Sequence, residues 1–390
     1  MQAHLADDVS TLLLRTGNVP GIDLRKVAAQ LTARQKAVHK LPGWYANREV
    51  VFPPALSVEQ ASSETAAHYK AGLVSGTTLI DATGGMGVDT QAFAKRMGRV
   101  EYVDQNPLLA ELAAHNLPRL GVENVIVTVQ NGVDFVQQYL GYVDWIYLDP
   151  ARRDDNGGKI VPLAGYEPDI TGVLPLLLTK TDRILLKTSP LIDIDQTMRQ
   201  LGRVEAVHVV AVQHEVKEIL FVISRSAIDP ATVPIIAVDL TNHGDGPAFG
   251  FTRAAEKAAL VTLGEPQRYV CEPSAAVLKA GAFRLVATRF GLHKLAPHSH
   301  LYTAETRPVD FPGRVFEVQA IVRPDRSELR AVVPDLKANL TVRNFPQTVE
   351  QLRKKLGLRE GGDVYILATT LQNGDKRLLV TRKPLTEPVD

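Results

Sequence analysis

From Thr77 to Leu186 the chain alternates short apolar strands with helix-length segments, and that rhythm admits few folds. The strands are predicted at Thr78–Asp81, Val100–Asp104, Asn124–Val129, Asp144–Leu148 and Arg183–Leu186, with helices following Gly87 and spanning Leu108–Leu117. Strands separated by helices imply a parallel sheet covered on both faces. Glu205–Ser224 breaks the rhythm with two long β-rich stretches around Gln213–Lys217, predicting an antiparallel pair at the sheet edge. The fold class expected is therefore α/β, a Rossmann-like seven-stranded sheet.

The flanking segments differ. Residues 1–56 read as a helical region, with a periodic segment from Asp23 to Val38 ending at the breakers Pro42 and Gly43. Ser57 followed by Gln60 reads as a capping box opening a helix through Ala71. The sheet domain is assigned to 57–226. Beyond Ala227, Val233–Leu240 and Phe249–Thr252 read as strands around a turn at Gly244 and Gly246, and Ser274–Phe290 as one helix. Strands at Arg314–Val322 and Leu340–Arg343, a helix at Pro346–Leu356 and a hairpin turning at Asn373-Gly374 make a small α+β end.

The chemistry concentrates at the strand ends. Leu79-Ile80-Asp81-Ala82-Thr83-Gly84-Gly85-Met86-Gly87 is an apolar strand, an acid and a glycine turn that opens a helix. Gly85-x-Gly87 alone also fits a dinucleotide site, G-x-G-x-x-G. Thr90 stands where helix–sheet packing wants Gly or Ala, and Asp81 stands where a pyrophosphate would lie. A carboxylate there repels a dianion but suits a positively charged nucleoside free of phosphate. Asp104, 17 residues after Gly87, ends the next strand as an acid placed for ribose hydroxyls. These features predict S-adenosylmethionine held by Asp81, Thr83, Gly84, Gly85, Gly87 and Asp104. Asn131, after the third strand, is placed for the adenine edge or serves an ordinary loop.

The fourth strand runs into Asp149-Pro150-Ala151-Arg152-Arg153, which is similar to the [DN]-P-P-[YFW] signature of methyltransferases acting on amino or ring nitrogens of bases. Ligands of open parallel sheets bind outside the carboxyl ends of the strands, so Asp149 and Pro150 are expected at the acceptor. Ala151 and Arg152 replace the second proline and the aromatic. The guanidinium groups of Arg152 and Arg153 either stack on bases or clamp phosphate, which keeps a nucleic-acid reading open, or pair with Asp154 or Asp155. Lys187 and Ser189 share the same rim, Lys187 as a candidate catalytic residue and Ser189-Pro190 as a candidate turn. Ten histidines show no metal-ligand spacing, so no metal is expected. Cys271, the one cysteine, excludes an internal disulfide and reads as a buried thiol; with no membrane-length apolar run, it points to the cytoplasm.

The formal charge of +1 decides nothing about a polyanionic partner, but 273–304 holds Lys279, Arg284, Arg289 and Lys294 with no acid. From Arg343 onward the tail is mildly basic, with nine Lys and Arg (Arg343, Arg353, Lys354, Lys355, Arg359, Lys376, Arg377, Arg382, Lys383) against six acids.

Together Leu56–Glu64, Asp81–Asp89, Asp149–Arg153, Lys187–Pro190, Lys279–Phe283 and Phe311–Arg314 resemble the bacterial class I S-adenosylmethionine-dependent methyltransferases with a THUMP-like C-terminal domain. The resemblance implies a ferredoxin-like insert near 227–275, a basic helical connection over 276–314 and a THUMP-like end from 315. It also implies an RNA substrate, tRNA or rRNA, methylated on a base nitrogen. On the same ground Gln60, Ser62 and Ser63 are expected to close over the cofactor, helix capping being the alternative. A small-molecule or protein methyltransferase, and a non-catalytic binding module, are the rival readings.

Overall fold

The structure, a computed structural model, describes residues 5, 7–16, 21, 23–152, 163–241, 244–245 and 248–384. The chain divides into two compact units, one made of the residues up to Val212 with Lys217–Pro230, the other of Gln213–Val216 with Ala231 onward.

The first unit opens with helices α1 (Val9–Thr16), α2 (Leu24–Ala37), α3 (Pro42–Ala46), α4 (Ala55–Gln60) and α5 (Glu64–Leu73). Asp23 caps α2 by accepting the Arg25 and Lys26 amides. Pro42, expected to end a helix, begins α3 instead, because a proline at the first helical position gives up an amide that has no partner there anyway. The expected capping box at Ser57 and Gln60 is not formed. Helix α4 follows Pro54 with no side-chain cap and stops at Gln60, and Ser63 starts a separate α5 by accepting the Ala66 amide at 3.2 Å.

The sheet then follows in β1 (Thr78–Asp81), α6 (Val88–Ala94), β2 (Arg99–Asp104), α7 (Pro107–Arg119), β3 (Val125–Val129), α8 (Gly132–Gln138) and β4 (Val143–Leu148). A short pair, β5 (Ala151–Arg152) and β6 (Tyr166–Glu167), precedes α9 (Ile170–Leu177), β7 (Thr181–Thr188), α10 (Ile194–Leu201), β8 (Val204–Val212) and β9 (Glu215–Ser224). Within this unit the strand order is β8-β9-β7-β4-β1-β2-β3, seven strands as expected. Strands β3, β2, β1, β4 and β7 are parallel, and β9 runs antiparallel to β7 with Lys187 opposite Leu220. The hairpin turns at Gln213 and His214, both with positive φ. Near-continuous burial of β1 and β4 is what a sheet covered on both faces requires.

β1 ends at Asp81, which is fully buried. Its carboxylate accepts the Thr83 amide at 3.2 Å and the Thr90 hydroxyl at 2.6 Å. Burial outweighs these bonds and pushes its pKa up to about 7.

The second unit contains β10 (Ile235–Thr241), β11 (Gly244–Asp245), β12 (Phe249–Phe251), α11 (Arg253–Ala258), β13 (Tyr269–Pro273), α12 (Ala275–Ala280), α13 (Leu285–Arg289), β14 (His293–Lys294) and β15 (Tyr302–Ala304). It ends with β16 (Gly313–Val322), α14 (Arg326–Val332), β17 (Asn339–Arg343), α15 (Val349–Leu356), β18 (Val364–Thr370) and β19 (Lys376–Arg382). β10 pairs antiparallel with β11 and β12, while a seven-stranded sheet runs β14-β15-β13-β16-β19-β18-β17. Leu329, Leu352, Leu356, Ile366 and Leu378 form the core on one face of its C-terminal half. Val270, Leu301, Phe316 and Leu379 belong to a second cluster.

The single helix expected over Ser274–Phe290 is two helices. Gly281, at φ +83°, terminates α12, and the Glu256 carboxylate accepts the Phe283, Arg284 and Leu285 amides that open α13. The basic stretch is therefore divided, and Lys294 is buried with its ammonium donating to the Pro297 carbonyl. Cys271 is buried, as expected. Gly246, Arg153, Asp154 and Asp155 lie outside the described residues, and only the backbone of Arg152 is described.

Two outcomes follow from this packing. Leu352→Ala empties a fully buried site in the C-terminal core and lowers stability by about 2–5 kcal/mol in a urea titration; a loss below about 1 kcal/mol contradicts the core assignment. The Asp81 carboxyl keeps its proton to about pH 7 when folded, whereas the unfolded chain releases it near 3.8. The folded state binds the extra proton between these values, so this group's contribution to stability falls as pH rises through the window. Asp81→Asn removes that slope, and the variant should gain on the parent chain from pH 5 to pH 7.5. A stability difference constant over that range contradicts the assignment.

Candidate functional site

At the C-terminal ends of β1, β2, β4 and β7 the first unit encloses a cavity of about 800 Å3, within the usual range for ligand pockets of roughly 300–1,000 Å3. Its wall includes Ser57, Gln60, Ser62, Thr83, Gly84, Gly85, Gly87, Asp89, Asp104, Asn131, Asp149, Pro150, Lys187 and Ser189. The structure thus brings together most of the residues singled out from sequence, contributed by chain segments from 57 to 217.

Two expected cofactor residues are not on that wall. Asp81 is buried beneath the glycine turn with its oxygens on Thr83 and Thr90, and so braces the turn from within. Ser63 is spent as the cap of α5. Both positions lie beside residues that do line the cavity, Thr83 and Ser62.

The turn's shape follows from its glycines. Gly87 takes φ +88° as the cap of α6, and a Cβ on Gly84 would overlap the Tyr102 ring. The amides of its three glycines are consumed within the protein. Gly84 donates to the Val103 carbonyl at 2.9 Å, Gly87 to the Gly84 carbonyl at 2.9 Å, and Gly85 to the Asp104 carboxylate at 2.7 Å. Asp104 also accepts the Asn106 amide at 2.7 Å. A pyrophosphate needs such amides turned outward. Here the three glycine amides are turned inward, and the wall includes the acids Asp104, Asp149 and Glu167 with the cations Lys187 and Lys217. That donor set fits a positively charged nucleoside without phosphate. The electrostatic argument attached to Asp81 passes to these wall acids.

Asn131 caps α8 through the Val133 amide at 2.9 Å and still lines the cavity. Beside it a Cβ on Gly132 would overlap the Ala82 carbonyl oxygen, which lets β3's loop close against β1.

On the acceptor side, the Thr83 hydroxyl accepts the Asp149 amide at 2.7 Å and so ties the end of β4 to the glycine turn. One Asp149 oxygen pairs with the Lys187 ammonium; the other has no hydrogen-bond partner among the described residues. Burial works against the Lys187 charge, yet Asp149, Glu218 and Asp89 together hold the ammonium above the ordinary lysine range. Ser189 lines the rim and also serves the turn, its amide donating to the Tyr166 hydroxyl at 3.1 Å.

Sequence reasoning missed the charges behind this wall. Lys70, Asp89 and Glu218 form a buried cluster with Ser62 and Tyr147. Asp89 stood inside the glycine-turn motif; Lys70 and Glu218 were not singled out, lying within the predicted helix through Ala71 and the predicted β-rich stretch ending at Ser224. The clue was an acid directly before the apolar run Ile219–Ile223. Among the described residues no group of three His, Cys, Asp or Glu side chains is placed to hold a metal, and no helix is long and apolar enough to cross a membrane.

Comparisons with known proteins agree with this geometry. A family model described as a ferredoxin-like domain matches residues 269–312, and one described as THUMP domain-like matches residues 313–383. The ferredoxin-like match meets the expected insert, 227–275, only at its C-terminal end. Two curated proteins of Mycobacterium tuberculosis, from strains CDC 1551 / Oshkosh and ATCC 25618 / H37Rv, are named as uncharacterized S-adenosylmethionine-dependent methyltransferases. Each is 26% identical over 324 residues, 82% of this chain and 84% of its own. A crystal structure from Porphyromonas gingivalis W83, described as that of a proposed methyltransferase, is 34% identical with a TM-score of 0.88, covering 98% of this chain and 96% of that one. The chain belongs to the S-adenosylmethionine-dependent methyltransferases that carry ferredoxin-like and THUMP-like domains at the C-terminal end, and S-adenosylmethionine is its cofactor.

Proposed function

We propose that the cavity holds S-adenosylmethionine with its ribose toward Asp104 and its adenine toward Asn131 and Gly132. The methionine end lies along Thr83–Gly87 and Gln60. Asp149 and Pro150 receive the acceptor, a base nitrogen of tRNA or rRNA. The bound cofactor supplies the methyl group, leaving as a thioether. The observation that carries the acceptor side is the half-occupied Asp149 carboxylate at the cavity rim. Its open oxygen accepts an N–H of the incoming amine and aims the nitrogen lone pair, which is catalysis by orientation. Lys187 fixes the other oxygen and keeps the carboxylate from turning.

RNA is favoured over other acceptors by the THUMP domain-like match and by its charge: residues 313–383 carry 14 Lys and Arg against 8 Asp and Glu. An excess of cations suits phosphate, although fold alone does not fix a substrate.

The test is incubation of the purified chain with methyl-labelled S-adenosylmethionine and separated RNA, protein and metabolite fractions. Label is expected in the RNA fraction, with transfer weakening steeply as salt rises; label in protein or metabolites alone overturns the RNA reading. Asp149→Ala should slow transfer by about 100-fold or more while cofactor affinity changes by less than about threefold. Transfer at the parent rate would remove Asp149 from the acceptor role.

A further inference from the structure

A second cavity, of about 340 Å3, lies within the second unit and takes no part in methyl transfer. Its volume is at the small end of the range for ligand pockets and suits a single small group. The wall includes Pro312, Gly313 and Arg314, from the Phe311–Arg314 stretch singled out in the sequence, together with Leu278 and Arg343.

A buried acid arranges the charges on this wall. Glu272, 2% exposed, accepts Arg314 Nε at 3.1 Å and a second bond from Arg314 Nη2. Arg343 Nη2 lies 2.8 Å from the other Glu272 oxygen, Oε1, without hydrogen-bond alignment. Arg343 Nε is buried with no hydrogen-bond partner among the described residues, which is uncommon in a packed interior. The remaining charged or titratable groups of the wall are Asp239 and His214. Asp239 Oδ1 accepts the His214 amide at 3.0 Å, and Oδ2 lies 2.7 Å from His214 Nδ1. These contacts hold His214 at φ +68°, a backbone that side chains seldom adopt.

Two guanidinium charges stand against two carboxylate charges, so with His214 neutral the wall carries no net charge. Placement decides what it binds. Glu272 is enclosed with its two arginines, and the Asp239 side chain is 12% exposed with both oxygens on His214. The Arg314 and Arg343 side chains remain 43% and 39% exposed. A group entering the cavity therefore meets guanidinium N–H edges before either carboxylate. Those planar edges suit the oxygens of a phosphate, and Leu278 and Pro312 give the same cavity an apolar part.

We propose that this cavity takes one nucleotide of a single-stranded RNA segment, with the phosphate on Arg314 and Arg343 and the base or sugar against Leu278 and Pro312. Single strands are the form of RNA whose unstacked bases can enter a cavity of this size. The proposal rests on the RNA reading of the acceptor and adds a second place at which the strand is held.

Fluorescence anisotropy of a labelled, mixed-sequence single-stranded RNA with the full chain tests this. Ala275 lines the cavity, and Ala275→Trp plugs it while leaving every wall charge in place. That variant should weaken RNA binding about tenfold, while the calorimetric affinity for S-adenosylmethionine changes by less than about twofold. Arg314→Gln with Arg343→Gln should weaken RNA binding at least as much. It should also flatten the slope of log Kd against log salt concentration by about 0.7, the share of one phosphate contact in a single strand. RNA affinity unchanged in Ala275→Trp, or a salt slope unchanged in the double variant, overturns the proposal. Adenosine 5′-monophosphate should bind the parent chain at least about tenfold more weakly than the RNA; equal affinity assigns the cavity to free nucleotides and overturns the RNA source. Should the variants fail to fold, RNA carrying 4-thiouridine is photo-cross-linked to the parent chain. Adducts are expected within 272–278 or 312–314 or at Arg343, and adducts confined to other segments overturn the proposal. If the parent chain binds no RNA, the RNA reading of the acceptor fails together with the proposal. If it binds and methylates RNA while the variants bind as the parent does, the cavity assignment alone fails.

Discussion

The bond from the Gly85 amide to the Asp104 carboxylate sets what this cavity accepts. A glycine turn between a parallel strand and a helix ordinarily offers its amides to an anion. Here Asp104 takes the central amide, the Val103 and Gly84 carbonyls take two more, and the Tyr102 hydroxyl reaches over to the Gly85 carbonyl at 2.7 Å. The three glycines thereby offer no free amide to a phosphate, and Asp104 sets a carboxylate at the turn. Placing Asp149 and Lys187 opposite then needs only that β4 and β7 end at the same level, which their parallel pairing secures.

Much of this was legible because it is local. Strand, acid, glycine turn and helix are written in consecutive residues, and β1 to β4 lie within a residue or two of their expected bounds. Asp149 could be placed at the cavity because strand ends of an open parallel sheet face the ligand whatever the sequence. The turn at Gly374 follows from local conformational preference in the same way, whereas the hairpin at Gln213-His214 forms although neither residue favours its positive φ.

What escaped depends on partners far along the chain. Lys70 and Glu218 are 148 residues apart, and neither carries a local mark of burial. Asp81 appeared to face a ligand because the pattern fixes its position at the end of β1 but not the Thr90 hydroxyl that turns it inward. The helix expected across 274–290 was split by Glu256, an acid outside the segment that caps three amides and makes a second start more favourable than continuity. These misses share a cause: apolar periodicity reports which face is covered, not which polar group waits beneath it.

One orientation of the cofactor is central, with the nucleoside sugar over Asp104 and the reacting sulfur facing the Asp149–Lys187 pair. A crystal structure of the chain with S-adenosylhomocysteine tests it most directly. The ribose hydroxyls should rest on the Asp104 carboxylate and the sulfur should open toward Asp149. A ligand bound in this cavity with its sugar away from Asp104, or bound elsewhere on the chain, would contradict it.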